Sequence, residues 1–128
     1  MAADIGVKVK IDGYAQFKSE ISDITQQQKT LKSEMQAVSS AWDKNTSSEK
    51  KNADTKRILN QQIELQKQKV DQLKQATEQV AQKYGENSRE AQSWKEKLNQ
   101  ATAELNNMQN QLKNLPSGIQ ELSNSFKE

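Results

Sequence analysis

Residues 14–42 read YAQFKSEISDITQQQKTLKSEMQAVSSAW. Within them Tyr14, Phe17, Ile21, Ile24, Leu31, Met35, Val38 and Trp42 step alternately by three and four, interrupted only by Gln28. This is a heptad repeat with apolar a and d positions, the pattern of a helix that buries one narrow seam. The stripe resumes at Leu59, Ile63, Gln66, Val70, Leu73, Thr77, Val80 and Tyr84. A third run follows through Ala91, Trp94, Leu98, Ala101, Leu105, Met108, Leu112 and Leu115, and then Ile119, Leu122 and Phe126. Counting by sevens from Tyr14 lands on Ile21, Gln28, Met35, Trp42, Glu49, Lys56, Ile63, Val70, Thr77, Tyr84, Ala91, Leu98, Leu105, Leu112, Ile119 and Phe126. One frame therefore covers the chain from residue 14 onward. Turns between helices are free to shift such a frame, and each junction would keep it by chance roughly one time in seven.

The expected fold is mainly α: long heptad-repeat helices in an extended coiled coil. The alternative is a compact antiparallel hairpin or three-helix bundle. A stripe of two positions in seven is thin for a bundle, which prefers about three, and only Ile58 and Leu65 widen it. The predicted organisation is a β-strand arm over 1–12, a first coiled-coil helix over 13–43 and a polar linker or cap region over 44–56. A second helix over 57–85, a third over 86–115, and a Pro/Gly break with a short C-terminal helix over 116–128 complete it. The strand rests on strict period-two alternation of Ile5, Val7, Val9 and Ile11. A single strand leaves its backbone groups unpaired, so these four residues are the expected site of pairing with another chain. Asp12, Thr46 with Glu49, and Asn87 with Glu90 have the spacing of helix caps, and Gly85 that of a helix stop.

Composition narrows the function. The 128 residues are 32% hydrophobic, against about 45–50% in ordinary globular chains. Nineteen basic residues nearly balance 17 acidic ones, and there is neither Cys nor His. Thiolate chemistry, zinc thiolate sites and imidazole bases are thereby excluded. No Gly-rich phosphate loop with Lys is present, and no Ser has a histidine partner. The expectation is no enzyme, no cofactor and no metal. No apolar run reaches the length of a membrane span. A net charge of +2 argues against specific nucleic-acid binding. The densest basic cluster, Lys50, Lys51, Lys56 and Arg57, reads as a solvated helix surface. The expected interface is the seam itself, with Gln28, Gln66 and Thr77 as polar groups that lower its stability and set register. Homo-oligomerisation through that seam is the expected use.

The opening Ala3-Asp4-Ile5-Gly6-Val7-Lys8-Val9-Lys10-Ile11-Asp12-Gly13, followed by Ala15-Gln16-Phe17-Lys18 and Ile21-Ser22-Asp23-Ile24, resembles the start of tail tape measure proteins of long-tailed bacteriophages and prophages. So do Leu31-Lys32-Ser33-Glu34-Met35 and Ala41-Trp42-Asp43-Lys44-Asn45-Thr46-Ser47-Ser48-Glu49-Lys50. Leu59-Asn60-Gln61-Gln62-Ile63, Lys83-Tyr84-Gly85-Glu86-Asn87 and the run from Trp94 to Leu115 extend the similarity over essentially the whole chain. The resemblance implies a helical ruler and scaffold in the lumen of the tail tube, made in the bacterial host cytoplasm. It implies tail tube protein, tail assembly chaperones and tail terminator-region proteins as partners. Family members are much longer, so it also implies an N-terminal piece of a longer protein. Two other classes compete. One is a generic coiled-coil adaptor. The other is an ESX-type secreted helical hairpin, for which Trp42 is suitably placed but Lys44 stands where that pattern has Gly.

Overall fold

The computed structural model describes Ile11 and residues 13–115. Three helices are present among them: α1 (Tyr14–Ser40), α2 (Ser48–Tyr84) and α3 (Arg89–Lys113). At 37 residues, α2 is about 56 Å long and forms the spine. The chain folds back at 41–47 and again at 85–88, so α1 and α3 both run antiparallel to α2. Helix α1 descends as α2 rises: Gln28 bonds Gln66, Glu34 pairs with Arg57, and Trp42 bonds Asp54.

The extended coiled coil is thus not the arrangement of this structure, which has the folded-back alternative. A thin stripe is enough for folding back because one helix serves as the spine. Only the central helix must bury two faces, while each outer helix needs only its own seam. Helix α2 buries its a and d residues Leu59, Ile63, Gln66, Leu73 and Val80, and beside them Thr55, Ile58, Gln62 and Ala76. Two of those four additions are polar and one is alanine, so the second face carries almost no hydrophobic signature.

The strand residues Ile5, Val7 and Val9 lie outside the described residues, as does 116–128. Ile11 is described; it is half-buried against the end of the bundle and its carbonyl accepts from the Tyr14 amide at 3.2 Å.

The helix ends follow local hydrogen-bond chemistry. Gly13, at φ 76°, is the residue that enters α1, with no side-chain cap on the helix. Ser39 and Ser40 donate their hydroxyls back to the carbonyls of Gln36 and Ala37, which competes with continued helix. In the first turn Asp43 Oδ1 accepts from the Asn45 amide at 2.8 Å, and Thr46 Oγ1 accepts from the Asp43 amide at 2.9 Å. With Thr46 so engaged, the cap of α2 moves one residue on: Ser47 Oγ accepts from the Lys50 amide. Helix α2 consequently starts inside the segment expected to be linker. Gly85, at φ 97° and ψ 148°, ends it as expected. Ser88, not Asn87, caps α3, because its hydroxyl both donates to the Gly85 carbonyl at 2.7 Å and accepts from the Ala91 amide at 3.1 Å.

Candidate functional site

The seam is the expected recognition feature that falls among the described residues, and the fold turns it inward. On α1, Phe17, Ile24 and Met35 are buried, and Tyr14, Ile21, Leu31, Val38 and Trp42 are half-buried. On α2, Leu59, Ile63, Leu73 and Val80 are buried, with Val70 and Tyr84 half-buried. On α3, Trp94 is buried, while Leu98, Leu105, Met108, Leu112 and Leu115 are half-buried.

The two ends of the bundle differ. At one end all three helices meet: Phe17 of α1 joins Leu73, Ala76 and Val80 of α2 and Ala91, Trp94 and Ala101 of α3. Tyr14 sets the edge of its ring against Trp94, with centroids 5.9 Å apart and planes at 80°. Such T-shaped pairs add about 0.5–1.5 kcal/mol beyond the area they bury. Toward the other end Leu59 and Ile63 meet the half-buried Leu105, Met108, Leu112 and Leu115. There α1 and α3 part, and a groove opens between them over Leu59 and Gln62, flanked by Lys29, Lys32, Glu104 and Met108.

Between the ends lies a polar layer that spans all three helices. Gln28 of α1 donates its amide to Gln66 Oε1 at 2.7 Å, and Gln66 donates its own to the Ala101 carbonyl of α3 at 2.8 Å. Gln62 donates to the Gln28 carbonyl at 3.0 Å. Gln66 is 1% exposed, and its bond to the Ala101 carbonyl is made where water does not compete, while the bond from Gln28 is only partly buried. A one-turn slip of either outer helix would separate these partners, which is how a polar seam residue specifies register. Gln28, Gln66 and Thr77 are the residues expected in that role, but Thr77 Oγ1 donates to the Leu73 carbonyl of its own helix at 2.7 Å. Gln62 was missed, and only a count by sevens along the other edge of α2, Thr55, Gln62, Lys69, Ala76, draws attention to it.

A second polar cluster closes the α1–α2 turn. Trp42 Nε1 donates to Asp54 Oδ2 at 3.2 Å, Lys50 Nζ reaches the same oxygen at 3.2 Å, and Lys51 lies 5.9 Å from the Trp42 ring centre. Burial pushes the Asp54 carboxyl up, but the indole N–H, the Lys50 ammonium and the charge of Arg57 outweigh it and hold the group below its ordinary range. Of the basic cluster, Lys50, Lys51 and Arg57 therefore have intramolecular partners.

Among the described residues no group of acidic side chains is placed to hold a metal ion, and no helix is long and apolar enough to cross a membrane. What the arrangement offers is helix packing: a seam, a register device and a locked turn. No protein-family model, characterised protein or solved structure matches this chain.

Proposed function

We propose that this chain is the N-terminal part of a phage tail tape measure protein, a helical ruler and scaffold that templates tube polymerisation and sets tail length. The observation that carries the reading is the single heptad frame from Tyr14 to Phe126, kept through both turns. A bundle needs no common frame across its turns, because each helix can choose its own phase. A ruler does, because only one frame gives a continuous seam when the helices stand end to end. In the tail lumen, then, the chain is an extended homo-oligomeric coiled coil, and the folded-back bundle is the form of the free chain.

On this reading the tail tube protein, tail assembly chaperones and tail terminator-region proteins are its partners, and the strand residues Ile5, Val7, Val9 and Ile11 pair with one of them or with another copy. No enzymatic step, cofactor, membrane insertion or specific nucleic-acid contact is part of the proposal. In-frame deletion of residues 63–83 removes three heptads and tests it. Micrographs of the parent phage should show tails shorter by about 30 Å, since 21 helical residues rise 1.5 Å each. Viable tails of unchanged length would refute it.

One observation favours a second reading. Trp42 sits at the α1–α2 turn of an antiparallel pair, as in a secreted helical hairpin of the ESX type. A reading frame that continues past Glu128 for hundreds of codons favours the ruler; a stop codon beside secretion genes favours the hairpin.

A further inference from the structure

The two turns of the bundle are built differently. The α1–α2 turn is locked by the Asp43–Thr46 bonds, the Ser47 cap and the Trp42–Asp54–Lys50 cluster. The α2–α3 turn is the short segment 85–88, held by the bonds of Ser88 and by the Gly85 amide on the Ala81 carbonyl, and bent by Gly85 at φ 97° and ψ 148°. That conformation is one essentially reserved for glycine. A Cβ added to Gly85 would meet nothing within 4 Å, so the constraint is purely one of backbone conformation. A short turn under such constraint, between two helices that share one heptad phase, is the recognised setting for exchange of an element between copies.

We propose that a second copy of this chain is the partner of the α2 seam: Gly85 relaxes to helix, α2 and α3 become one rod, and two copies exchange α3. Residues 85–88 then fill the frame between Tyr84 and Ala91 without a phase shift. Every contact that α3 makes in the closed bundle is rebuilt with the other copy, including Gln66 to the Ala101 carbonyl and Tyr14 against Trp94. Helix α1 stays on its own α2, because its turn is the locked one. This exchange is independent of the tail proposal and holds for the chain in solution.

The test is Gly85→Ala on the 128-residue chain. Alanine is strained in the closed turn and favoured in the open helix, together by roughly thirtyfold or more per copy, hence about a thousandfold or more in the dimerisation constant, which contains two hinges. Light scattering reads that shift. Isotope mixing then distinguishes exchange from docking of closed copies. Light and heavy chains are unfolded together, refolded, and joined through lysines. Lys69 and Lys97 lie at matched levels of α2 and α3, as Lys29 and Lys67 do of α1 and α2. Exchange predicts that the Lys69–Lys97 link in the dimer joins light to heavy, while Lys29–Lys67 never does. A helical Gly85→Ala chain that stays monomeric overturns the proposal, and so does a dimer whose Lys69–Lys97 links are all of one isotope. Should that variant not fold, wild type refolded at millimolar concentration gives the same readout: a mixed-link dimer upholds exchange, and its absence overturns it. Four glycines inserted after Glu86 relieve the turn and should abolish the dimer in either background; a persisting dimer counts against the hinge.

Discussion

Gln66 is the residue on which the bundle's register rests, and its replacement separates a register device from a mere weak point. Gln66→Ala removes two hydrogen bonds, one from Gln28 and one to the Ala101 carbonyl. Each is worth about 1 kcal/mol net. Truncating so buried a side chain adds about 1–2 kcal/mol of lost packing. The expected cost is therefore about 3–4 kcal/mol, read as a fall in the urea midpoint followed by helical circular dichroism. Gln66→Leu keeps the volume and adds apolar burial, but it strands the half-buried Gln28 amide, so the cost falls to about 0–2 kcal/mol. Replacing both, Gln28→Leu with Gln66→Leu, leaves neither amide stranded and makes a continuous leucine layer. The double variant should be at least as stable as wild type, with a coupling of about 1 kcal/mol or more between the two sites. It should also lose specificity and populate further oligomers, since nothing polar then penalises a slipped or intermolecular pairing. A Gln66→Ala cost below about 0.5 kcal/mol, or two leucine effects that simply add, would refute the reasoning.

The remaining predictions concern the turns and the surface. Because the Asp54 carboxyl is held below its ordinary value, it binds a proton more weakly folded than unfolded. Its stabilising contribution is present above the unfolded value of about 3.9 and is lost as pH falls through the lower folded value. The gap in urea midpoint between wild type and Asp54→Asn should therefore be flat from pH 7 to about 5 and shrink below about 4; a gap unchanged down to pH 2 refutes this. Ser47→Ala and Ser88→Ala should each cost about 1 kcal/mol as lost caps, whereas Asn87→Ala should stay within about 0.5 kcal/mol, all by urea melts. Arg57 and Glu34, with side chains 51% and 42% exposed, should couple by less than about 1 kcal/mol in a double-mutant cycle and by less still in high salt.

Much of this architecture was legible because helices and seams announce themselves by period. The spacing of Tyr14 to Trp42, Leu59 to Tyr84 and Ala91 to Leu115 locates three helices and the face each presents. Gly85 as a stop follows from its conformational freedom. The direction of packing was not legible, for a physical reason: within each helix, a and d residues serve an end-to-end coil and a folded-back bundle equally well. What decides between them is the second face of α2, where Thr55, Gln62 and Ala76 are buried beside Ile58. These residues have no hydrophobic period to read; they are admitted because they are small or because a neighbouring backbone accepts their hydrogen bond. The caps erred by one residue at both turns for a similar reason. Thr46 and Ser88 differ in which partners their hydroxyls find, and those partners, Asp43 and Gly85, lie across a turn whose shape the linear sequence leaves open.

The polar layer and the glycine hinge act together on one balance. Were Gln28, Gln66 and Gln62 leucines, the closed bundle would be deep but poorly registered, and opening it would cost the whole of its core. With glutamines at mid-length, apolar packing divides into the three-helix cluster beside Gly85 and the sparser set around Leu59 and Ile63. The cluster beside the hinge contains the contacts that must break first when α3 swings out, among them Tyr14 against Trp94. The far set, half-exposed along Leu105 to Leu115, holds less. Opening at Gly85 therefore meets its main resistance at the hinge end, and the release of a glycine-only conformation offsets part of that resistance in the same place. A chain with this distribution can keep its seam covered while free and present the identical residues, in the identical frame, once another copy is there to receive them.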